Sequence, residues 1–117
     1  MSYDIKLTDP VSKAVLQLDA AHDMRGGTYA IGGTKEASLN ISYNYSQILH
    51  RVIDGGIRGL FGKTGAESSV ILKAAIAQLG DDTDADYWKA TEGNVKKALC
   101  HVLALAQLRP DGVWAGD

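Results

Sequence analysis

The strongest structural signal in the chain is TEGNVKKALCHVLALAQLRP, residues 91–110. Thr91 starts the pattern, and Pro110 follows where it ends. The apolar residues recur at helical spacing and form one broad face, made of Val95, Ala98, Leu99, Val102, Leu103 and Leu105. We therefore predict a long helix at the centre of the core.

Two further helices are predicted upstream. Thr64-Gly65-Ala66-Glu67 matches the capping box, in which the Thr hydroxyl and the Glu carboxylate each accept a backbone N–H, so a helix should run to about Leu79. Gly80 would end it. A shorter helix between Ser46 and Gly55-Gly56 is indicated by the apolar residues grouped on one side, Ile48, Leu49, Val52 and Ile53.

Alternating residues predict strands elsewhere. Tyr3, Ile5 and Leu7 alternate as in a short strand, and Tyr29 and Ile31 share one face of a second run. A third run has one face made of Ala37, Leu39, Ile41, Tyr43 and Tyr45. Because Gly32-Gly33-Thr34 lies between the last two runs, we expect a β-hairpin there. The predicted fold class is α+β, a small β-hairpin or three-stranded antiparallel sheet packed against a mainly helical C-terminal half.

Three connecting segments complete this prediction. Asp9-Pro10 favours a helix start, since Asp caps helices and Pro fits the first helical position, and Gly26-Gly27 would end that helix near Met24. We expect a short helical turn in the acidic stretch 81–86. After a turn at Asp111-Gly112, Val113-Trp114 should fold back onto the domain.

The bulk properties limit the class of protein. A chain of 117 residues with 45% hydrophobic residues predicts one domain, residues 1–117. A net charge of -2 disfavours direct nucleic-acid binding. The single cysteine, Cys100, makes no intramolecular disulfide and has no zinc-ligand spacing around it, so we predict a reducing compartment and no metal or other cofactor. Without a signal-peptide run or an apolar stretch near 18 residues, we expect a cytoplasmic protein that does not bind membranes.

The segment GGIRGLFGKT, residues 55–64, ends like a phosphate-binding P-loop but lacks the required spacing, because Ile57 stands where the first Gly is needed. Lys63 and Thr64 nevertheless precede a helix, whose free N–H groups and dipole favour an anion, and Arg58 is close in sequence. We therefore predict an anion site at these three residues. The alternative is an ordinary capped helix with solvated basic neighbours.

Gly93 suggests a second ligand site, because glycine in a first helical turn costs about 1 kcal/mol relative to Ala and so indicates a close approach. The approaching group is either another part of the chain or a ligand stacked on Trp88. In the second case the ligand-binding residues are Trp88, Lys89, Thr91 and Asn94. An EF-hand calcium loop at Asp82, Asp84 and Asp86 is rejected, because the Gly and Glu of such a loop are missing, and a weak surface cation site stays open as an alternative.

Four aromatic residues, Tyr29, Tyr43, Tyr45 and Trp114, are candidates for a surface that binds a partner. The alternative is that the tyrosines form the core side of the sheet. His22 and Asp23 precede Gly26-Gly27 and could act as an acid/base pair, although the helix dipole also favours His at a helix end.

Several motifs together resemble a family of small phage and prophage proteins: Tyr43-Asn44-Tyr45, Gly62 to Glu67, Tyr87-Trp88, Thr91 to Asn94 and Leu108 to Trp114. The resemblance covers most of the chain. It implies a phage accessory protein acting in the host cytoplasm by binding and blocking a host factor, and it supplies no catalytic residue.

Three functional hypotheses follow. The first is a non-enzymatic phage protein that neutralises a host defence protein such as a CRISPR effector. The second is a sponge that sequesters a nucleotide-derived immune signal with Arg58, Lys63, the Thr91 helix start and Trp88. The third is a small nucleotide hydrolase with a site between subunits, using His22, Asp23 or Glu92. Homo-oligomerisation suits the second and third hypotheses, and the sequence leaves the oligomeric state open.

Overall fold

The computed structural model describes residues 1–29 and 32–117. Within these two ranges, five strands and three α-helices follow in the order β1 (Ser2–Thr8), β2 (Gln17–His22), β3 (Thr34–Glu36), β4 (Ser38–Ser42), α1 (Ser46–Val52), α2 (Gly65–Ala77), α3 (Glu92–Leu108) and β5 (Val113–Gly116). Two 3-10 turns, Tyr43–Tyr45 and Gly56–Leu60, flank α1. The predicted α+β class is confirmed.

The three-stranded antiparallel sheet has the order β4-β1-β5, with the N-terminal strand in the middle. Its inner face is fully apolar and joins α2 and α3 in one core, to which the strands contribute Tyr3, Ile5, Leu7, Leu39, Ile41 and Trp114. Its outer face carries polar side chains, because residues alternate sides along a strand. The predicted return of Val113-Trp114 to the domain is confirmed, with Trp114 only 1% exposed.

The three helices predicted after Tyr45 are confirmed. Thr64 Oγ1 accepts the Glu67 N–H at 3.0 Å and Glu67 Oε1 accepts the Thr64 N–H at 2.9 Å, which completes the capping box of α2. Thr91 caps α3 by accepting the Asn94 N–H at 3.1 Å. Gly55 and Gly56 follow α1 in left-handed conformations. No helix in the described ranges is both long and apolar enough to cross a membrane.

The helix predicted from Asp9-Pro10 to Met24 is wrong, and β2 occupies part of that segment. The Asp9 carboxylate accepts the N–H groups of Val11 and Ser12, both at 2.9 Å, as an N-cap would. The chain then turns back at Lys13, which has a φ of 66°, and Ala14 O accepts the Asp9 N–H at 2.8 Å. The capping signal therefore stabilises a closed turn instead of a helix.

The predicted hairpin pairing is also wrong in detail. β2 pairs with β3 and β4 pairs with β1, whereas Tyr29 lies outside any strand. Ile31, which the alternation placed in the same run, lies outside the described residues. β4 ends at Ser42 because its hydroxyl accepts the Asn44 N–H at 3.0 Å and starts a 3-10 turn, so Tyr43 and Tyr45 do not continue the strand.

Candidate binding cleft

The start of α2, where an anion was predicted, is closed by the chain itself. Gly65 N donates to Gly112 O at 2.8 Å and Ala66 N donates to Pro110 O at 3.1 Å. Thr64 and Glu67 satisfy each other in the capping box. These N–H groups are therefore not free to bind a phosphate.

Arg58 does not join Lys63 and Thr64 at this helix start. Its guanidinium carbon lies 5.0 Å from the centre of the Tyr3 ring, in a cation–π contact. We correct the prediction of an anion site at Arg58, Lys63 and Thr64 for these two reasons.

The turn that carries Trp88 is built from acidic side chains that accept backbone N–H groups. Asp84 Oδ1 accepts from Asp86 N at 2.8 Å, and Asp86 Oδ1 accepts from Trp88 N at 3.1 Å. Such local bonds compete with helix formation. The short helical turn predicted for residues 81–86 is consequently replaced by an irregular loop.

The start of α3 supports this loop. Asn94 is buried, and its amide nitrogen donates to Asp86 O at 3.3 Å and Lys89 O at 3.0 Å, while its amide oxygen accepts from Asp84 N at 3.2 Å. Lys89 pairs with Asp84 at 3.6 Å. Asn94, Thr91 and Lys89, predicted to bind a ligand directly, thus engage the chain's own groups and position Trp88.

Gly93 is explained by packing within the chain. A Cβ atom at Gly93 would lie 2.7 Å from the backbone of both Asp82 and Thr83. Two explanations were given for this glycine, close approach by another part of the chain or by a ligand, and the first is correct.

The Trp88 turn is also held from the side of α1. Asn44 Nδ2 donates to Trp88 O at 3.0 Å, and the Tyr45 hydroxyl donates to Tyr87 O. Burial, together with the nearby Asp86 carboxylate, raises the pKa of the Tyr45 phenol, which therefore keeps the proton that this bond requires. The backbone of the Trp88 turn is therefore held both by Asn94 of α3 and by Asn44 and Tyr45 before α1.

The four aromatic residues predicted to bind a partner separate into buried and exposed pairs. Tyr45 and Trp114 are each 1% exposed, so their assignment to a partner surface is wrong, and core packing is the correct alternative for Tyr45. Tyr43 stacks edge-on against Tyr3, with ring centres 4.5 Å apart. Tyr29 is 70% exposed and packs edge-on against Trp88, with ring centres 5.8 Å apart.

Tyr29 and Trp88 border a cleft of about 920 Å³ that lies over the outer face of the sheet. Its floor is formed by outward-facing residues of β1 and β4, namely Ser2, Asp4, Lys6, Ser38 and Asn40. One side is formed by β2, β3 and the connection between them. Its lining residues are His22, Met24, Thr28, Thr34 and Glu36. The cleft therefore combines an aromatic rim with a polar floor.

Thr28 is the unusual residue of the cleft. It is only 6% exposed, and its hydroxyl oxygen has no hydrogen-bond partner among residues 1–29 and 32–117. A buried hydroxyl without a partner costs about 1–3 kcal/mol, so such groups are rare unless another molecule satisfies them. Among the described residues, the Thr28 hydroxyl is therefore a buried polar group of the cleft lining without a hydrogen-bond partner.

The segment before Thr28 is held tightly against β4. Gly26 N donates to Asn40 O, and Ser42 N donates to Gly26 O, both at 2.7 Å. A Cβ atom at Gly26 would lie 2.9 Å from Ala98 Cβ, so only glycine fits there without a shift. Gly26 and Gly27 were predicted to end a helix. In the structure they instead lead the chain to Thr28 in the cleft wall.

The charges of the cleft nearly balance. Three cationic side chains, Lys6, Lys13 and Arg25, stand among its lining residues with four carboxylates, Asp4, Asp23, Glu36 and Asp117. Lys13 Nζ donates to Pro10 O at 2.9 Å, and the Arg25 guanidinium donates to Asp23 O at 3.4 Å. The cleft therefore lacks the concentrated positive charge that a polyanion requires.

Two of the three residues considered for acid–base chemistry are engaged elsewhere. His22 Nδ1 accepts the Met24 N–H at 3.1 Å, so its Nε2 carries the proton and donates to Glu36 O at 2.6 Å. Glu92 accepts the Gly80 N–H and pairs with Arg51, both at 2.8 Å, and these bonds lower the pKa of its carboxyl. His22 and Glu92 thus hold the chain in place.

Sequence reasoning identified Tyr29 and Trp88 but missed Thr28, the polar floor and the β2–β3 side of the cleft. Thr28 follows Gly26-Gly27, and that pair was the available signal for a close approach. Comparisons with protein-family models, curated proteins and solved structures gave no match.

Proposed function

We propose that this chain is a binding protein that holds a small organic molecule in the cleft over the outer face of the sheet. The observation that carries the proposal is the buried hydroxyl of Thr28, a residue of the cleft wall, which has no hydrogen-bond partner among residues 1–29 and 32–117. A volume of about 920 Å³ falls within the range of small-molecule pockets, roughly 300–1,000 Å³. Aromatic walls with a few polar groups are typical of such pockets.

This proposal keeps the hypothesis that the chain sequesters a small molecule, but it places the binding site in the cleft and not at the starts of α2 and α3. Of the residues assigned to it from the sequence, only Trp88 borders the cleft. The biological role that we attach to it is removal of a small signal molecule by a phage accessory protein. That role rests on the resemblance to phage proteins.

A second candidate function is the binding of a host protein. Its support is the apolar rim of the cleft, where Met1 is 95% exposed, Tyr29 70% and Trp88 36%. Exposed aromatic residues beside a groove are typical anchors of protein interfaces. In this case the cleft would accept a side chain of the partner.

A thermal-shift screen of the purified chain tests the first candidate. The panel contains nucleosides, mono-, di- and cyclic nucleotides, NAD-derived compounds, amino acids and sugars. A ligand at a hundredfold excess over its Kd stabilises the folded state by about 2.7 kcal/mol, which raises the melting temperature measurably.

Tyr29→Ala and Tyr43→Ala form a matched pair for this screen. Tyr29 borders the cleft, whereas Tyr43 packs on Tyr3 away from it. We expect Tyr29→Ala to abolish the shift and Tyr43→Ala to retain it. If no compound shifts the wild-type chain, the small-molecule proposal fails and pull-down from host lysate with the same two variants tests the protein partner.

A further inference from the structure

We infer that the ligand of the cleft is a planar heterocycle that forms hydrogen bonds and carries little negative charge. A nucleobase or a nucleoside fits this description, and a nucleoside triphosphate does not. This inference rests on the proposed function and names the chemistry of its ligand.

The aromatic rim favours a planar ring. Tyr29 and Trp88 meet edge-on at an interplanar angle of 78°, so they form a corner, and Tyr87 backs it with ring centres 5.5 Å from Trp88 and 6.3 Å from Tyr29. A flat ring gains affinity by stacking on an aromatic side chain, because every nucleobase presents a π face. Because the bonds from Asn44, Tyr45 and Asn94 already hold the Trp88 turn, little ordering entropy is lost on binding.

The buried wall next to this corner favours a ring with polar edges. Thr28 directly precedes Tyr29 and belongs to the lining of the same cleft, and the inferred contact is a hydrogen bond from its buried hydroxyl to a ring nitrogen or a carbonyl oxygen of the ligand. The Ser38 hydroxyl on the floor can both donate and accept, whereas the Asn40 amide is already bonded to Ser2 and Asp4. A purely hydrocarbon ring would leave the Thr28 hydroxyl unsatisfied and is therefore disfavoured.

The charge balance argues against polyphosphates. A triphosphate would bring several negative charges among the carboxylates of Asp4, Asp23, Glu36 and Asp117. Two of the three cationic groups already donate to backbone carbonyls. An uncharged nucleoside avoids both difficulties.

Isothermal titration calorimetry with adenosine, guanosine, cytidine and uridine, and with the 5′-monophosphate and 5′-triphosphate of each, tests the inference on the full chain. We expect at least one nucleoside to bind and its triphosphate to bind at least about tenfold more weakly, since repulsion of about 1.4 kcal/mol is a tenfold change in Kd. Thr28→Val should weaken the nucleoside about tenfold, and Trp88→Ala should do the same. Trp88→Phe, which keeps an aromatic face, should retain most of the affinity.

The outcomes separate this inference from the proposed function. If a triphosphate binds more tightly than its nucleoside, or if no nucleoside binds while another compound of the panel stabilises the chain, the ligand class is wrong and the binding cleft stands. If binding is unchanged in Thr28→Val, the hydroxyl serves an ordered water and the inferred contact is wrong. If no compound of any class binds, both proposals fail.

Discussion

The two faces of the three-stranded sheet each lie next to a buried hydroxyl, and the two hydroxyls are in opposite states. Ser68, behind the inner face, donates to Gly65 O at 3.0 Å and accepts from the Trp114 indole N–H at 2.8 Å. Thr28, beside the outer face, has no partner within the described chain. The inner hydroxyl is part of a closed network that stabilises the fold, whereas the outer one is a cost to the free chain that the proposed ligand would remove.

Trp114→Ala should give the largest effect and tests the inner side of this comparison. Removing a fully buried indole leaves a cavity and takes away the N–H that donates to the Ser68 oxygen, so we expect the free energy of unfolding to fall by about 3–5 kcal/mol. Trp88→Ala, at a partly exposed tryptophan, should cost less than about 1 kcal/mol. Urea unfolding of both variants measures this, and equal losses would contradict the division between core and cleft.

Ser68→Ala should have a smaller effect of the same kind. It leaves the buried Trp114 N–H without an acceptor, which costs about 1–3 kcal/mol. Ser69→Ala is the matched control, because Ser69 also donates to Gly65 O, at 2.9 Å, but accepts nothing from Trp114. Chemical denaturation should show a clear loss for Ser68→Ala and a loss below about 1 kcal/mol for Ser69→Ala; the reverse order would show that the Trp114 bond is unimportant.

The smallest expected effect is on the pH dependence of folding stability, through Glu92 at the base of the Trp88 loop. The Gly80 N–H and Arg51 lower the pKa of Glu92 in the folded state, so its contribution to stability is present above the ordinary carboxyl pKa of 4.5 and is lost as pH falls through the lowered value. Glu92→Gln should therefore reduce the acid-dependent loss of stability below pH 4.5. Melting temperatures of both chains between neutral and acidic pH measure this, and parallel curves would rule out a role for the Glu92 carboxylate.

The helices of the C-terminal half were predictable because their signals are local. Thr64 with Glu67, Thr91, and Gly55-Gly56 act on the backbone within four residues of themselves, and no distant contact overrides them. Most of the residues predicted for the apolar face of α3 are buried, so this face was also predictable from the sequence.

The segment from Asp9 to His22 was not predictable in the same way. Asp9 accepts N–H groups in a turn as readily as at a helix start, so its signal fits both structures. No residue of β2 is fully buried, and within the described chain β2 pairs with β3 only. Of the apolar residues that suggested a helix, Val11, Ala14 and Ala21 are exposed and Leu18 packs against the core, so the helical spacing did not mark a buried face.

The cleft could be predicted only in part, because its defining property is tertiary. The aromatic character of Tyr29 and Trp88 is visible in the sequence, but their contact joins segments about 60 residues apart. Burial of Thr28 without a partner depends on how Gly26 packs against β4 and Ala98. Neither spacing nor composition carries that information.

The most direct test of the binding cleft is to measure stability and ligand binding together in Thr28→Val, which replaces the hydroxyl by a methyl group of similar size. We predict a free energy of unfolding equal to wild type or higher by up to about 2 kcal/mol, because an unsatisfied buried group is removed, and about tenfold weaker binding of the ligand that the screen identifies. A loss of stability by more than about 1 kcal/mol with unchanged binding would contradict the account, because it would show that the hydroxyl supports the fold and not a ligand.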